Sequence, residues 1–167
     1  MQEEHWRPVQ AVNGDRVVFG ENESYELALV APDGVVKRLV RRKVEPRPVT
    51  DADFASLMDV RLALISDPAR RREVESTYRS LPRPATMPFY DAVLLDDESN
   101  LWVRDFEPTT INPLAWTVFD PEGRMLGTVT LPDGVEIKQI GDDFLLGVWR
   151  DDLDVQHVRM YALQKPS

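Results

Sequence analysis

The sequence contains no cysteine, only two histidines and no long apolar segment. Without cysteine, disulfides, thiolate metal sites and cysteine nucleophiles are excluded, and the composition fits a reducing compartment. His5 and His157 lie far apart and lack the short spacing of paired zinc ligands, so no histidine zinc site is predicted. No apolar run approaches membrane-spanning length, so no membrane span is expected.

A secretory signal is also missing from the sequence as written. Residues 1–8, MQEEHWRP, have neither a basic segment nor an apolar core. This predicts a cytoplasmic protein. If the chain is a fragment of a longer exported protein, the expectation changes to an exported one.

The motifs of several common enzyme classes are absent too. There is no GxSxG elbow, P-loop or GxGxxG stretch, so serine hydrolase, nucleotide triphosphatase and dinucleotide-binding functions have no support. The net charge is −9, from 20 basic and 29 acidic residues. Such a field repels phosphate backbones and anionic lipid, so nucleic acid is not an expected partner.

The composition that remains is that of a folded protein with many short strands. Hydrophobic residues make up 43% and charged residues 29% of the 167 positions. Val17–Phe19 is a β-branched and aromatic run, and Tyr25, Leu27 and Leu29 then alternate with their neighbours in the period-2 pattern of a strand with one buried face. A Pro-Asp-Gly turn follows at 32–34.

The next predicted strand, 35–44, is rich in basic residues. A basic stripe on a strand can bind an anionic partner, or it can mark an outer edge strand whose charges discourage pairing with other sheets. The acidic chain as a whole favours the edge strand. The basic residues are Lys37, Arg38, Arg41, Arg42 and Lys43.

A helical segment interrupts the strands. Thr50 and Asp53 have the spacing of a capping box, and apolar residues then recur at helical spacing up to Ile65, which predicts a helix over 51–66. Asp67 and Pro68 begin a second predicted helix that runs to about residue 80. An extended connector should follow because of three prolines: Pro82, Pro84 and Pro88.

Strands return after residue 89, and one structural unit recurs. The stretch YELALVAPDG at 25–34 matches WTVFDPEG at 116–123, each an aromatic-led strand that enters a turn of proline, acid and glycine. An acidic turn at 96–100 connects two further strands. The whole chain holds about eleven predicted strands, spaced as in a propeller with blades of roughly 40–50 residues.

Three segments carry a family resemblance: LWVRDF at 101–106, WTVFDPEGRMLGTVTLP at 116–132 and LLGVWRDDLDVQHVRMYAL at 145–163. They resemble the carboxy-terminal part of bacterial six-bladed β-propeller proteins of the NHL-like class. The resemblance extends over nearly the whole chain, paired helices included, and rests on structural motifs. It implies a binding scaffold of a kind that is often exported.

The expected fold is therefore mainly β: a partial β-propeller of about three antiparallel four-stranded blades with an inserted two-helix segment. It forms a single domain over 1–167, with a blade at 1–49, the helical insertion and Pro-rich connector at 50–88, a blade at 89–132 and a three-stranded terminal blade at 133–167.

Such a chain encodes about half a ring, since six blades need roughly 240–300 residues. A second copy could complete the ring as a homodimer across a two-fold axis, each copy supplying a missing outer strand. The competing explanation is that the chain is a truncated piece of a longer propeller protein.

Acidic turns provide the candidate metal ligands. Their oxygens suit calcium, although no D-x-D-x-D-G loop is present and acidic turns between strands are usually solvated. The candidates are Asp142, Asp143, Asp151, Asp152 and Asp154. No catalytic or cofactor-binding residue is predicted.

These features favour a non-enzymatic binding or assembly module of β-propeller type, with an unidentified protein or small-molecule ligand. The alternative is a calcium-dependent lactonase- or esterase-like propeller hydrolase. His157 is expected to be a packing or surface residue. Packing between sheets is favoured over a ligand cage for the four tryptophans, Trp6, Trp102, Trp116 and Trp149.

Overall fold

A computed structural model describes residues 8–80, 83–107, 115–132, 134–151 and 153–164. These residues form eleven strands and two helices, and the strand number equals the one expected from the sequence. The strands are β1 (Pro8–Asn13), β2 (Arg16–Glu21), β3 (Glu26–Val30), β4 (Val36–Arg41), β5 (Tyr90–Leu95), β6 (Leu101–Asp105), β7 (Ala115–Phe119), β8 (Met125–Thr130), β9 (Glu136–Ile140), β10 (Phe144–Arg150) and β11 (Gln156–Ala162); the helices are α1 (Asp51–Ala63) and α2 (Pro68–Ser80).

The strands form three antiparallel sheets, each a simple up-and-down meander. The first sheet has the order β1-β2-β3-β4, the second β5-β6-β7-β8 and the third β9-β10-β11. The two helices lie between the first and second sheets in the chain. This confirms a mainly β fold of two four-stranded sheets, one three-stranded sheet and an inserted two-helix segment.

The repeated turn motif has the same backbone geometry in both copies. Gly34 and Gly123 have positive φ angles of 78° and 81°, which glycine adopts without strain. Each donates its N–H to a carbonyl three residues back, Gly34 to Ala31 and Gly123 to Asp120, at 2.8 Å. The two motifs therefore encode the same turn, between β3 and β4 and between β7 and β8.

The predicted capping box begins α1. Thr50 Oγ1 accepts the N–H of Asp53 at 3.1 Å, and the Asp53 carboxylate accepts the N–H of Thr50 at 3.0 Å. The helix ends at Ala63, earlier than the predicted Ser66. Asp67 precedes a proline and so is disfavoured in helical conformation, and the chain leaves α1 before it.

The sheets pack face to face in chain order, with the second sheet in the middle. One core cluster lies between the first and second sheets and includes Tyr90, Leu27 and Val103; β1 lies against β5 at this contact. The other lies between the second and third sheets and includes Trp102 and Trp116. The expected packing of these two tryptophans between sheets is confirmed; Trp149 is only half-buried, and Trp6 lies outside the described residues.

The described ranges contain two helices of 13 residues each. No helix there combines the length and the apolar character that crossing a bilayer requires.

Candidate functional site: two open sheet faces

In the described structure, one face of the first sheet is not covered by another sheet. Residues opposite each other in an antiparallel sheet lie on the same face. On the face away from the second sheet, the register aligns side chains in two rows across the strands. One row is Gln10, Phe19, Ala28 and Leu39, and the other is Val12, Val17, Val30 and Val36.

This open face of the first sheet is apolar and substantially exposed. Val12 is 66% exposed, Val36 48%, Phe19 46% and Leu39 42%. A sheet with one solvated face usually alternates apolar and polar residues, whereas a sheet apolar on both faces is usually covered on both. The face therefore has the chemistry of a buried surface.

The third sheet has a corresponding open face on its side away from the second sheet. Leu146 lies opposite Met160 on β11 and Gln139 on β9, and Val148 lies opposite Val158 and Glu136, so this face is apolar on β10 and β11 and polar on β9. Val158 and Met160 are 76% and 69% exposed. The residues that alternate with them face the core, where Leu145 is buried and belongs to the second core cluster.

Within the described part of the chain, one hydrogen-bonding edge of β11 has no neighbouring strand. This strand is the last strand of the three-stranded sheet, in the position that a third strand occupies in the two four-stranded sheets. Every residue of β11 except Tyr161 is exposed. Apolar side chains of the preceding turn, Leu153 and Val155, extend this exposed region.

A polar seam links the first and second sheets where they are already packed together. We define it as Tyr25, Arg42, Asp105 and Thr117. Tyr25 donates its hydroxyl to Asp105 at 3.2 Å, and Arg42 donates to Thr117 at 3.0 Å and pairs with Asp105 at 3.4 Å. The Arg42 guanidinium lies over the Tyr25 ring, 5.4 Å from its centroid.

The seam shows how this protein joins one sheet to the next. Arg38 reaches the second sheet as well, by donating to the carbonyl of Glu122. Arg41 instead lies on the open side, where it pairs with Glu26 across the two strands. The basic stripe thus belongs to an edge strand, as expected, but two of its arginines make contacts between sheets.

Burial raises the pKa of Tyr25, the tyrosine of this seam. Burial, assisted by the negative charge of Asp105, raises the pKa of Tyr25 to about 12, while hydrogen bonds with Thr117 and Arg42 act in the opposite direction. Burial also raises the pKa of Tyr90, which is packed against Tyr25. Both phenols are held in their neutral form at the sheet contact.

This predicts a stability loss at alkaline pH. An unfolded tyrosine ionises near pH 10 and folded Tyr25 near pH 12, so its contribution is complete below pH 10 and is lost as the pH rises through 12. Each such group lowers the free energy of unfolding by about 1.4 kcal/mol per pH unit in that window. Tyr25→Phe should make the fall in the free energy of unfolding with pH shallower. The part of the fall that remains comes from Tyr90. Urea denaturation at several pH values from 9 to 12 measures this, and identical slopes for the two proteins would contradict it.

The acidic turn at 96–100, in which Asp96 is buried, joins all three sheets at the end of the strands opposite the polar seam. The side chain of Asn13, the last residue of β1, donates to the Asp96 carbonyl at 2.8 Å. The N–H of Asp97 donates to the carbonyl of Ile140 at 3.3 Å. The first hairpins of successive sheets are therefore connected directly, which fixes the stacking order.

The structure separates the four candidate calcium ligands that it describes. Asp142 and Asp143 precede β10 and Asp151 and Asp154 follow it, so the two pairs lie at opposite ends of a seven-residue strand, about 20 Å apart. Asp152 lies outside the described residues. Among the residues that are described, no three acidic or histidine side chains converge as metal ligands do.

The acidic residues after β10 are used within their own turn. Asp151 accepts the N–H groups of Leu153 and Val155 at 2.9 Å and contacts His157 Nε2 at 2.8 Å. The hydrogen bond with His157, followed by that from Val155, lowers the pKa of Asp151. Asp154 has a positive φ of 61° and its carboxylate pairs with Arg150 at 3.0 Å. His157 is exposed, on the surface, as expected.

The strongest candidate site therefore consists of the two open faces, and its residues were absent from the sequence-based candidates. The signal available in the sequence was the occurrence of apolar residues at consecutive positions, as in Val17–Phe19 and in Leu39 and Val40. Consecutive apolar residues are typical of strands covered on both faces. Comparison with known proteins adds no relative: no protein-family model matches the chain, and no curated protein matches its sequence.

Proposed function

We propose that this protein is a non-enzymatic assembly module of β-propeller type, whose two open faces bind further sheets. Propeller character is supported by the stacking of successive four-stranded meanders, by the contact of their first strands β1 and β5, and by the hydrogen bonds between neighbouring first hairpins. NHL-like ancestry, as the sequence resemblance implies, belongs to the same proposal.

The observation that carries the proposal is the apolar chemistry of both outer faces. The second sheet is covered on each side by a neighbour, and the outer sheets are covered on one side only. Covering a half-exposed valine, leucine or phenylalanine completely contributes about 1 kcal/mol per side chain. Several such side chains lie on each face, so covering both faces with complementary sheets would stabilise an assembly substantially.

Site-specific crosslinking tests whether the faces bind anything. A photo-crosslinking amino acid replaces Phe19 on the first open face or Val158 on the third sheet's open face, in cells that naturally produce the protein. Replacement of Glu23, an exposed residue of the turn before β3, is the matched control. We expect a discrete crosslinked product from each face position and none from the control, and its mass identifies the partner. Absence of a product from both faces would refute the proposed function.

A further inference from the structure

We infer that the partner is a second copy of this chain, in which the third sheet of each copy packs on the first sheet of the other. The inference rests on the proposed assembly function and names the occupant of both open faces. It predicts a closed two-fold dimer with two equivalent contacts between copies.

The three sheets form a continuous stack. Within one copy, the first sheet packs on the second and the second on the third, always in chain order. Among the described residues, no sheet packs on the open face of the first sheet or on that of the third. The chain already makes this sheet-on-sheet contact twice, and the two open faces are the ones left without a packing sheet. Packing the third sheet of one copy on the first sheet of another would repeat the same contact.

The two open faces expose side chains of matching chemistry. Both carry apolar side chains in rows that run across neighbouring strands, with Phe19 and Leu39 protruding from one and Val158 and Met160 from the other. The unbranched side chain of Met160 adapts to an irregular opposing surface. Neither face contributes to a core cluster of its own copy, so both are available.

The first and third sheets carry net charges of opposite sign. Residues 8–44, which form the first sheet, contain six basic and five acidic residues. Residues 134–164, which form the third sheet, contain three basic and six acidic residues. A third sheet on a first sheet brings opposite net charges together, whereas two third sheets facing each other would bring like charges together.

The proposed dimer is closed by its two-fold symmetry. If each copy offers its third sheet to the first sheet of the other, both contacts form in one dimer of six sheets and no apolar face remains open. A face that packs on its own equivalent would leave the other face of each copy exposed. The structure thus favours the arrangement in which different faces meet.

Two charged variants and their mixture test the arrangement. The first-face variant carries Phe19→Lys and Leu39→Lys, and the third-face variant carries Val158→Asp and Met160→Asp. All four positions are exposed within one copy, so each variant should retain its fold, which circular dichroism checks. Leu64→Lys, at an 83% exposed position between the helices, is the control for an added charge away from both faces.

Sedimentation measured across a range of concentrations should show wild type and Leu64→Lys at twice the chain mass of 19.1 kDa. Each charged variant alone should dimerise at least tenfold more weakly, because both contacts of its homodimer are altered. Mixing the two should restore dimers with one copy of each, which contain one unaltered contact and one contact between lysine and aspartate.

Other results overturn the inference in recognisable ways. Weakening by only one variant would mean that a face packs on its own equivalent, and a mass that grows beyond the dimer would mean that the stack does not close. A wild-type chain that stays monomeric at tens of micromolar would remove the second copy as partner. The proposed function would survive that result if face positions crosslink to another protein, and both would fail if they crosslink to nothing.

Discussion

Asp96→Ala is expected to lower the free energy of unfolding by about 4 kcal/mol, because it leaves several buried donors without an acceptor. Asp96 is 1% exposed and its two carboxylate oxygens accept four hydrogen bonds. Two come from the N–H groups of Glu98 and Asn100, at 3.0 and 2.8 Å. The others come from the Asn100 side chain at 2.9 Å and from Trp102 Nε1 at 3.0 Å.

The position of this turn adds to the effect. Its backbone bonds to the first hairpins of the first and third sheets, and the Trp102 ring is part of the core between the second and third sheets. Loss of the carboxylate therefore destabilises the turn together with the packing of Trp102. The disturbance should reach both sheet contacts.

Chemical denaturation followed by circular dichroism measures the change. Asp97→Ala is the matched control, since Asp97 is the adjacent acid and is exposed. It should change the free energy of unfolding by less than about 0.5 kcal/mol. Asp96→Asn keeps one oxygen acceptor but places an amide donor against other donors, so an intermediate loss is expected. Equal stability of Asp96→Ala and Asp97→Ala would show that the carboxylate contributes nothing.

Local features of the fold were predictable because local interactions determine them. The Thr50 and Asp53 capping box, the proline and glycine turns and the strand alternation each act over a few residues. They place both helices and the strands with predicted bounds to within a few residues, and the strand number equals the one expected. The assignment of β4 as an edge strand followed from its charges and is confirmed.

The contacts between sheets were not predictable in the same way, because they join residues distant in sequence. Arg42 and Asp105 are 63 positions apart, and Asn13 and Asp96 are 83 apart. A single sequence shows that Arg42 is basic and that residues 96–100 are acidic, but not that each has a partner in another sheet. The acidic turn contains one of the most buried charged residues of the described chain.

The open faces could not be predicted from the sequence for a different reason. The alternation of Tyr25, Leu27 and Leu29 predicts one buried face of β3, and these residues are indeed buried. The intervening Ala28 and Val30 are also apolar, so the opposite face has no polar pattern that would mark it as solvated. Only the register across four strands shows that such residues join into one surface.

Gly20 lies in the first sheet at a point where Tyr90 of the second sheet leaves no room for a side chain. A Cβ atom there would lie 2.3 Å from the Tyr90 hydroxyl oxygen and 2.7 Å from the Glu26 carbonyl oxygen. Tyr90 is fully buried, and its single hydroxyl proton is shared between the carbonyls of Glu26 and Glu21, whose oxygens lie 2.9 and 3.1 Å away. The tyrosine therefore occupies the space that any other residue at position 20 would need.

Gly20→Ala should accordingly lower the free energy of unfolding by about 3 kcal/mol, through overpacking and loss of the Tyr90 hydrogen bonds. Gly127→Ala is the matched control: it too lies in a strand, and a Cβ there meets nothing within 4 Å, so its effect should be near zero. Chemical denaturation compares the two, and an equally small effect at both positions would contradict the close approach.

A double-mutant cycle with Tyr90→Phe identifies the source of the loss. Removing the hydroxyl eliminates the shortest contact with a Cβ at position 20, but the Glu26 carbonyl at 2.7 Å remains. Gly20→Ala should therefore cost less in the Tyr90→Phe background, by about 1 kcal/mol or more, without becoming neutral. If the effects of the two substitutions are fully additive, the clash of a Cβ at position 20 is with the Glu26 carbonyl of β3 alone and not with the Tyr90 hydroxyl. The expected coupling would instead show that β2 and β5 fit each other through the Tyr90 hydroxyl, which makes the first sheet contact specific as well as apolar.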